Sequence, residues 1–84
     1  MSKVTIYTTA FCPYCHAAKA LLNKKGVVYS EIDVSYDPDE RKRMAAKANG
    51  RRTVPQIFIG EEHVGGSDDL HALEQQGRLD ALLQ

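Results

Sequence analysis

The sequence carries no net charge: eleven Lys and Arg balance eleven Asp and Glu across 84 residues. That balance removes the bulk attraction that nucleic acid or an anionic membrane surface would use. Nor does any apolar run approach the ~20 residues that a membrane-crossing helix needs. The opening Met1-Ser2-Lys3-Val4-Thr5-Ile6-Tyr7 has neither an apolar h-region nor a small-residue cleavage site. The expected location is therefore cytoplasmic. There is no repeat, low-complexity tract or linker, and 84 residues are too few for two independent cores. A single domain over residues 1–84 is expected, with 43% hydrophobic and 26% charged residues suiting a globular chain.

Cysteine is scarce as well. The two present, Cys12 and Cys15, stand three positions apart. In a reducing compartment such a pair points to redox chemistry or metal binding more than to a structural staple. Zinc would need about four ligands. There is no second cysteine pair, and His16, His63 and His71 show no finger spacing. Cys12-Pro13-Tyr14-Cys15-His16 also matches the c-type haem attachment pattern literally. Haem attachment, however, calls for an exported chain and an axial partner, and here the motif joins a strand to a helix. Redox-active thiols are the reading that remains, with no metal site.

Apolar periodicity places that motif. Lys3 to Thr8 alternates as a strand, with Val4, Ile6 and Thr8 on one face and Thr5 and Tyr7 on the other. Tyr14 to Lys25 has helical spacing at Tyr14, Ala18, Leu21, Leu22 and Lys25, with Gly26 as its stop. Val27 to Val34 reads as a second strand. Asp37 as cap, Pro38 in the first turn and Glu40 three residues after the cap start a helix that runs to about Ala48. Gln56 to Ile59 and a short strand around His63-Val64 form a hairpin through Gly60-Glu61-Glu62. Ser67-Asp68-Asp69 then caps a third helix that stops at Gly77, and Arg78 to Gln84 adds a final helical turn or two. The order β-α-β-α-β-β-α predicts an α/β chain with a four-stranded mixed sheet flanked by helices, the thioredoxin-like arrangement.

The nucleophile of disulfide exchange is a thiolate. Unpaired N–H groups and the positive end of the dipole at a helix N-terminus stabilise such an anion. The spacing puts Cys12 at the helix mouth, exposed, as the expected nucleophile. Cys15, one turn inside, is placed to attack a mixed disulfide on Cys12. Pro13 suits the first turn, where its missing N–H costs nothing. His16 is either a plain surface residue or a group that tunes the thiols.

Two further segments bear on ligand binding. Pro55 precedes a strand; in the trans form it merely starts that strand, whereas a cis form turns the Thr53-Val54 edge outward for a peptide-like ligand. Gly65-Gly66-Ser67-Asp68-Asp69 is either a plain capped turn or a backbone N–H site for a carboxylate, with Asp68 available to a ligand amino group. Arg41, Lys42, Arg43 and Lys47 read as a solvated helix face, while Arg51 and Arg52 stand beside the Thr53-Val54-Pro55 segment.

Cys12-Pro13-Tyr14-Cys15, Thr53-Val54-Pro55 and Gly66-Ser67-Asp68, in this order, closely resemble the dithiol glutaredoxin family, above all its short bacterial type. The resemblance covers essentially the whole chain. It implies a thioredoxin fold, a cis Pro55 and reduction of glutathione mixed disulfides and protein disulfides at the expense of glutathione. Electron supply to cellular reductases goes with that activity. Glutathione would be a co-substrate, with no tightly bound cofactor, and the partners would be disulfide-containing and glutathionylated proteins met by a monomer. By the same resemblance Cys12 is the nucleophile and Cys15 the resolving thiol. Tyr14 flanks glutathione, Thr53 and Val54 beside Pro55 hold its cysteinyl part, Gly66, Ser67 and Asp68 bind its γ-glutamyl end, and Arg52 lies near its glycyl carboxylate. This chain has Thr8-Thr9-Ala10-Phe11 where many members carry a lysine shortly before the first cysteine, and Ser67 where some carry a third cysteine. Two alternatives remain: a glutaredoxin-like protein reduced by thioredoxin reductase, and a carrier of an iron–sulfur cluster held through Cys12 and glutathione.

Overall fold

Alternation along the first strand separates two cores. In the computed structural model, which describes residues 3–84, β1 is Val4–Thr8 and sends Val4 and Ile6 to one face and Tyr7 to the other. Met1 and Ser2, part of the N-terminal stretch read above for targeting signals, lie outside the described residues. The remaining elements are α1 (Pro13–Lys24), β2 (Tyr29–Asp33), α2 (Pro38–Lys47), β3 (Gln56–Ile59), β4 (Glu62–Gly65), α3 (Ser67–Gln75) and α4 (Leu79–Leu83). The sheet order is β2-β1-β3-β4, with β1 parallel to β2 and antiparallel to β3, and β3 antiparallel to β4. This is the thioredoxin-like arrangement that the element order predicts.

Val4, Ile6, Ile57 and Ile59 face Ala18, Leu21 and Leu22 of α1, Leu70 of α3 and Leu79 of α4 in the larger core. Tyr7, Phe58 and Val34 meet Met44 and Ala48 on the α2 side. Tyr7 and Phe58 contribute an edge-to-face ring pair with centroids 5.7 Å apart. The chain thus buries both faces of a small sheet. Removing a side chain such as Leu22, fully buried in the larger core, costs about 2–5 kcal/mol.

Several boundaries differ from the sequence reading, each for a local reason. The β2 ladder begins at Tyr29 and not at Val27, because the Val27 N–H is still bonded to the Leu22 carbonyl at the end of α1 (3.2 Å). Tyr14 does not share the buried face of α1: it is 65% exposed, and Cys15 fills that face with Ala18, Leu21 and Leu22. Lys25 lies just past the last turn of α1 and clamps it to the C-terminal helices, with Nζ 2.7 Å from Glu74 and 2.9 Å from Asp80. Asp37 caps α2 as expected, its carboxylate accepting from the Glu40 N–H at 3.0 Å with Pro38 behind it. The cap of α3 is Gly66, one residue before the expected Ser67-Asp68-Asp69. Among the described residues no helix is long and apolar enough to cross a membrane.

Candidate functional site

Because β3 runs antiparallel to β1 and β4 antiparallel to β3, one end of the sheet collects three chain segments: the exit of β1 into α1, the entry to β3, and the exit of β4 into α3. Residues distant in sequence meet there.

At the first segment the chain leaves β1, ties its loop to the next one through an Ala10 N–H to Ser35 Oγ bond (2.8 Å), and enters α1 at Cys12. Cys12 has extended backbone angles and is the N-cap itself. Its Sγ accepts the Cys15 N–H at 3.1 Å, the bond that a serine or aspartate oxygen makes at other helices. Pro13 occupies the first helical position, and no acidic residue stands in the first turn. The positive end of α1 therefore acts on the sulfur without a competing carboxylate. Contrary to the sequence expectation Cys12 is not exposed: its accessibility is 7%, since Sγ turns back over its own helix and lies 3.7 Å from the Val54 carbonyl. Cys15 is deeper, at 1%. Burial, and next the hydrogen bond with Cys12, push the Cys15 thiol up to about 12; the Thr9 backbone and the Lys19 charge pull the other way. Both cysteines are free thiols. His16 is exposed on the helix surface.

The second segment contains the Val54–Pro55 peptide bond, which is cis. Thr53 and Val54 precede β3 and pair with no strand. Behind them Gln56, 0% exposed, uses its amide to hold the Thr53 carbonyl (2.9 Å) and hydroxyl (3.2 Å). Its own carbonyl oxygen meets His63 Nε2 at 2.6 Å. Burial, followed by the positive charge of Arg51, lowers the His63 pKa. Gln56 was missed as a site residue in the sequence, where a lone glutamine opening an Ile-Phe-Ile strand was the available signal.

At the third segment Gly65 has φ +121°, and a Cβ there would run into the Asp69 carboxylate. Asp69 reaches back to accept the Gly66 N–H (2.9 Å) and also pairs with Arg51 (3.0 Å). These two contacts, the backbone one foremost, hold its carboxyl below the usual aspartate range. Gly66 permits a close approach to the second segment: a Cβ would stand 3.5 Å from the Pro55 carbonyl and 3.4 Å from the Arg51 guanidinium.

The three segments enclose a cleft of about 140 Å³ lined by Tyr14, Arg51, Thr53, Val54, Pro55, Gly66, Ser67 and Asp68, with Cys12 Sγ against Val54 at its edge. Seven of the residues singled out in the sequence thus share one cavity. Arg52 is not among them. The Arg41 guanidinium takes the Arg52 carbonyl (3.0 and 3.2 Å), Arg52 itself is exposed, and Arg51 is the arginine in the cleft wall. A larger groove of about 600 Å³ along β4, α3 and α4 contains neither cysteine. Among the described residues no group of three or more His, Cys, Asp or Glu could hold a metal ion.

Known proteins agree with this geometry. The family model described as Glutaredoxin matches residues 4–64, a span holding both cysteines and Pro55. A glutaredoxin of Pseudomonas aeruginosa is 61% identical over 83 residues, covering 99% of this chain and 98% of its own. The solution structure of glutaredoxin from Brucella melitensis superposes with a TM-score of 0.87 at 57% identity, over 99% of this chain and 89% of that one. A buckwheat glutaredoxin–glutathione complex superposes with a TM-score of 0.86 at 31% identity, over 98% and 76%. With two thiols at a helix mouth and relatives matched over nearly its whole length, the chain belongs to the glutaredoxin family and is a thiol–disulfide oxidoreductase with a redox-active centre.

Proposed function

We propose that the protein reduces glutathione mixed disulfides and protein disulfides with electrons drawn from glutathione, and that its two cysteines do unequal work. The observation that carries this reading is Cys12 Sγ serving as the N-cap of α1 at the edge of a cleft whose opposite wall is the N-terminus of α3. The N–H groups and the positive end of the helix face a sulfur so placed. The cleft has the parts a γ-glutamyl tripeptide calls for. Thr53 and Val54 offer a backbone edge to its cysteinyl residue, and the Tyr14 ring flanks it. Gly66, Ser67 and Asp68 meet the α-carboxylate and ammonium of its γ-glutamyl end. Arg52, exposed beside Thr53, is the cation for the glycyl carboxylate, while Arg51 is held by Asp69 in the wall next to Gly66. The buckwheat relative, a complex with glutathione, supports the same assignment.

In the reaction, the Cys12 thiolate attacks the glutathione sulfur of a mixed disulfide. A Cys12–glutathione bond forms, the bond to the substrate protein breaks, and the protein thiolate leaves and takes a proton. A second glutathione thiolate then attacks the bound glutathione sulfur, giving glutathione disulfide and free Cys12. With a protein disulfide, Cys12 forms a mixed disulfide with the substrate and Cys15 displaces the product. Two glutathiones reduce the resulting Cys12–Cys15 bond.

Substitution separates the two routes. Cys12→Ser is expected to abolish both activities, whereas Cys15→Ser keeps deglutathionylation and loses most protein-disulfide reduction. Intact mass of Cys15→Ser after exposure to glutathione disulfide should show one added glutathione. Equal loss of both activities in Cys15→Ser would end the division of labour. Turnover with thioredoxin reductase but none with glutathione and its reductase would remove glutathione as the reductant.

A further inference from the structure

One turn beyond Cys15 on α1, Lys19 ends a polar chain that runs across β1 and β2. Thr8 is buried at the end of β1, and its hydroxyl donates to Glu31 Oε2 of β2 at 2.8 Å. The same oxygen receives Lys19 Nζ of α1 at 3.0 Å. Lys19 follows Cys15 by four residues, so the two are neighbours one turn apart along the same side of α1. Two bonds to one carboxylate oxygen, from two different elements, fix where the ammonium sits. Its side chain is only 22% exposed, so water screens it less than it screens a free surface lysine.

We infer that Lys19, held by Glu31 and Thr8, is a positioning residue for the resolving step, where its ammonium stabilises the negative charge that gathers on Cys15 Sγ. The inference rests on the reading that Cys15 resolves a mixed disulfide on Cys12. In that step the Cys15 thiol loses its proton and Sγ attacks Cys12 Sγ. A Cys12–Cys15 disulfide forms, the bond from Cys12 to its partner sulfur breaks, and the departing thiolate takes up a proton. The difficulty lies in the thiolate: burial and the Cys12 sulfur both oppose it. Of the groups around Cys15, the Thr9 backbone and the Lys19 charge favour it, and Cys15 acts reciprocally on Lys19. Glu31 is the first partner of Lys19, with Tyr29 adding to the same effect, while Asp33 acts on Glu31. Glu31 itself is held ionised by Thr8 and Lys19 and is a poor proton acceptor, so the cation is the working end of the pair.

The test uses a symmetrical aromatic disulfide that releases a coloured thiolate, followed by stopped flow on the full chain. Attack by Cys12 releases one thiol in a first phase; closure by Cys15 releases the other in a second, which Cys15→Ser removes. Lys19→Met is expected to slow the second phase about tenfold at neutral pH and to leave the first within about twofold. Its rate–pH profile should move to higher pH, and Lys19→Arg should restore the wild-type profile. If Lys19→Met fails to fold, Lys19→Gln gives the same decision in the same trace. An unchanged second phase, or an equal slowing of both, overturns the inference. The probe is indifferent to glutathione. A normal two-phase trace without glutathione turnover would thus sink the proposed function and spare this inference, and an unchanged second phase with full turnover would do the reverse.

Discussion

Two helix N-termini face the same cleft and are loaded in opposite ways. α1 is capped by a sulfur, has proline at its first position and carries no acid in its first turn. α3 is capped by a glycine, carries Asp68 and Asp69 in its first turn, and has its first N–H already taken by Asp69. The backbone device is the same; the charge placed on it is not. At α1 the whole positive end is left to one reacting atom. At α3 an anion is already present, so a simple anion is a poor match and a ligand with both carboxylate and ammonium is a good one. On the proposed function, one end serves reactivity and the other recognition.

The contrast can be broken most violently at Gly65. Gly65→Ala drives a Cβ into Asp69 at φ +121°, displacing the carboxylate that orders α3. Denaturant unfolding should show a loss of about 2 kcal/mol or more, with a raised KM for glutathione. A variant as stable as the wild type would show that α3 is not organised through Asp69. Next in size is Pro13→Asp, which loads α1 as α3 is loaded. Alkylation of Cys12 should slow about fivefold, because a carboxylate then stands beside the sulfur, while helix stability holds, because an acid suits a helix start. Unchanged alkylation would erase the distinction between the two ends.

Asp68→Asn sharpens the recognition side: KM for glutathione should rise about threefold to tenfold with kcat nearly unchanged, the mark of uniform binding. A fall in kcat alone would move Asp68 from binding to chemistry. The smallest effect concerns acid. Asp69 titrates below its ordinary value in the folded protein, so its stabilisation is complete above about pH 4 and is lost as pH falls through the depressed folded value. Asp69→Asn should flatten acid unfolding below about pH 4, by less than about 1 kcal/mol, since the side chain is 47% exposed. An unaltered acid limb would remove Asp69 from the pH dependence.

Much of this contrast is legible in the residues themselves, since caps and periodicities are local. Asp37-Pro38-Asp39-Glu40 announces α2, and alternation from Val4 to Thr8 announces β1 and its two faces. What local pattern does not carry is direction in three dimensions. Tyr14 and Cys15 both stand at helical spacing from Ala18, Leu21 and Leu22, so the period alone does not choose between them, and it is the thiol that is buried. The place of Arg51 in the cleft wall, with Arg52 outside it, has a similar origin. Loop residues obey no period, and a hydrogen bond from Arg41, eleven residues earlier, holds the Arg52 carbonyl. Cys12 was expected exposed because it begins a helix, yet capping requires its sulfur to fold back over that helix.

That fold-back has a consequence for motion. Sγ of Cys12 is both the atom that reacts and the acceptor that closes the first turn of α1. A sulfur joined to a second sulfur has a different reach and geometry as an acceptor, so the Cys15 N–H bond depends on what Cys12 is bonded to. The turn concerned is the one carrying the resolving thiol. Amide exchange at Cys15 is expected to quicken when Cys12 is held in a mixed disulfide, and an unchanged rate would show this turn of α1 to be indifferent to the bonding of the sulfur.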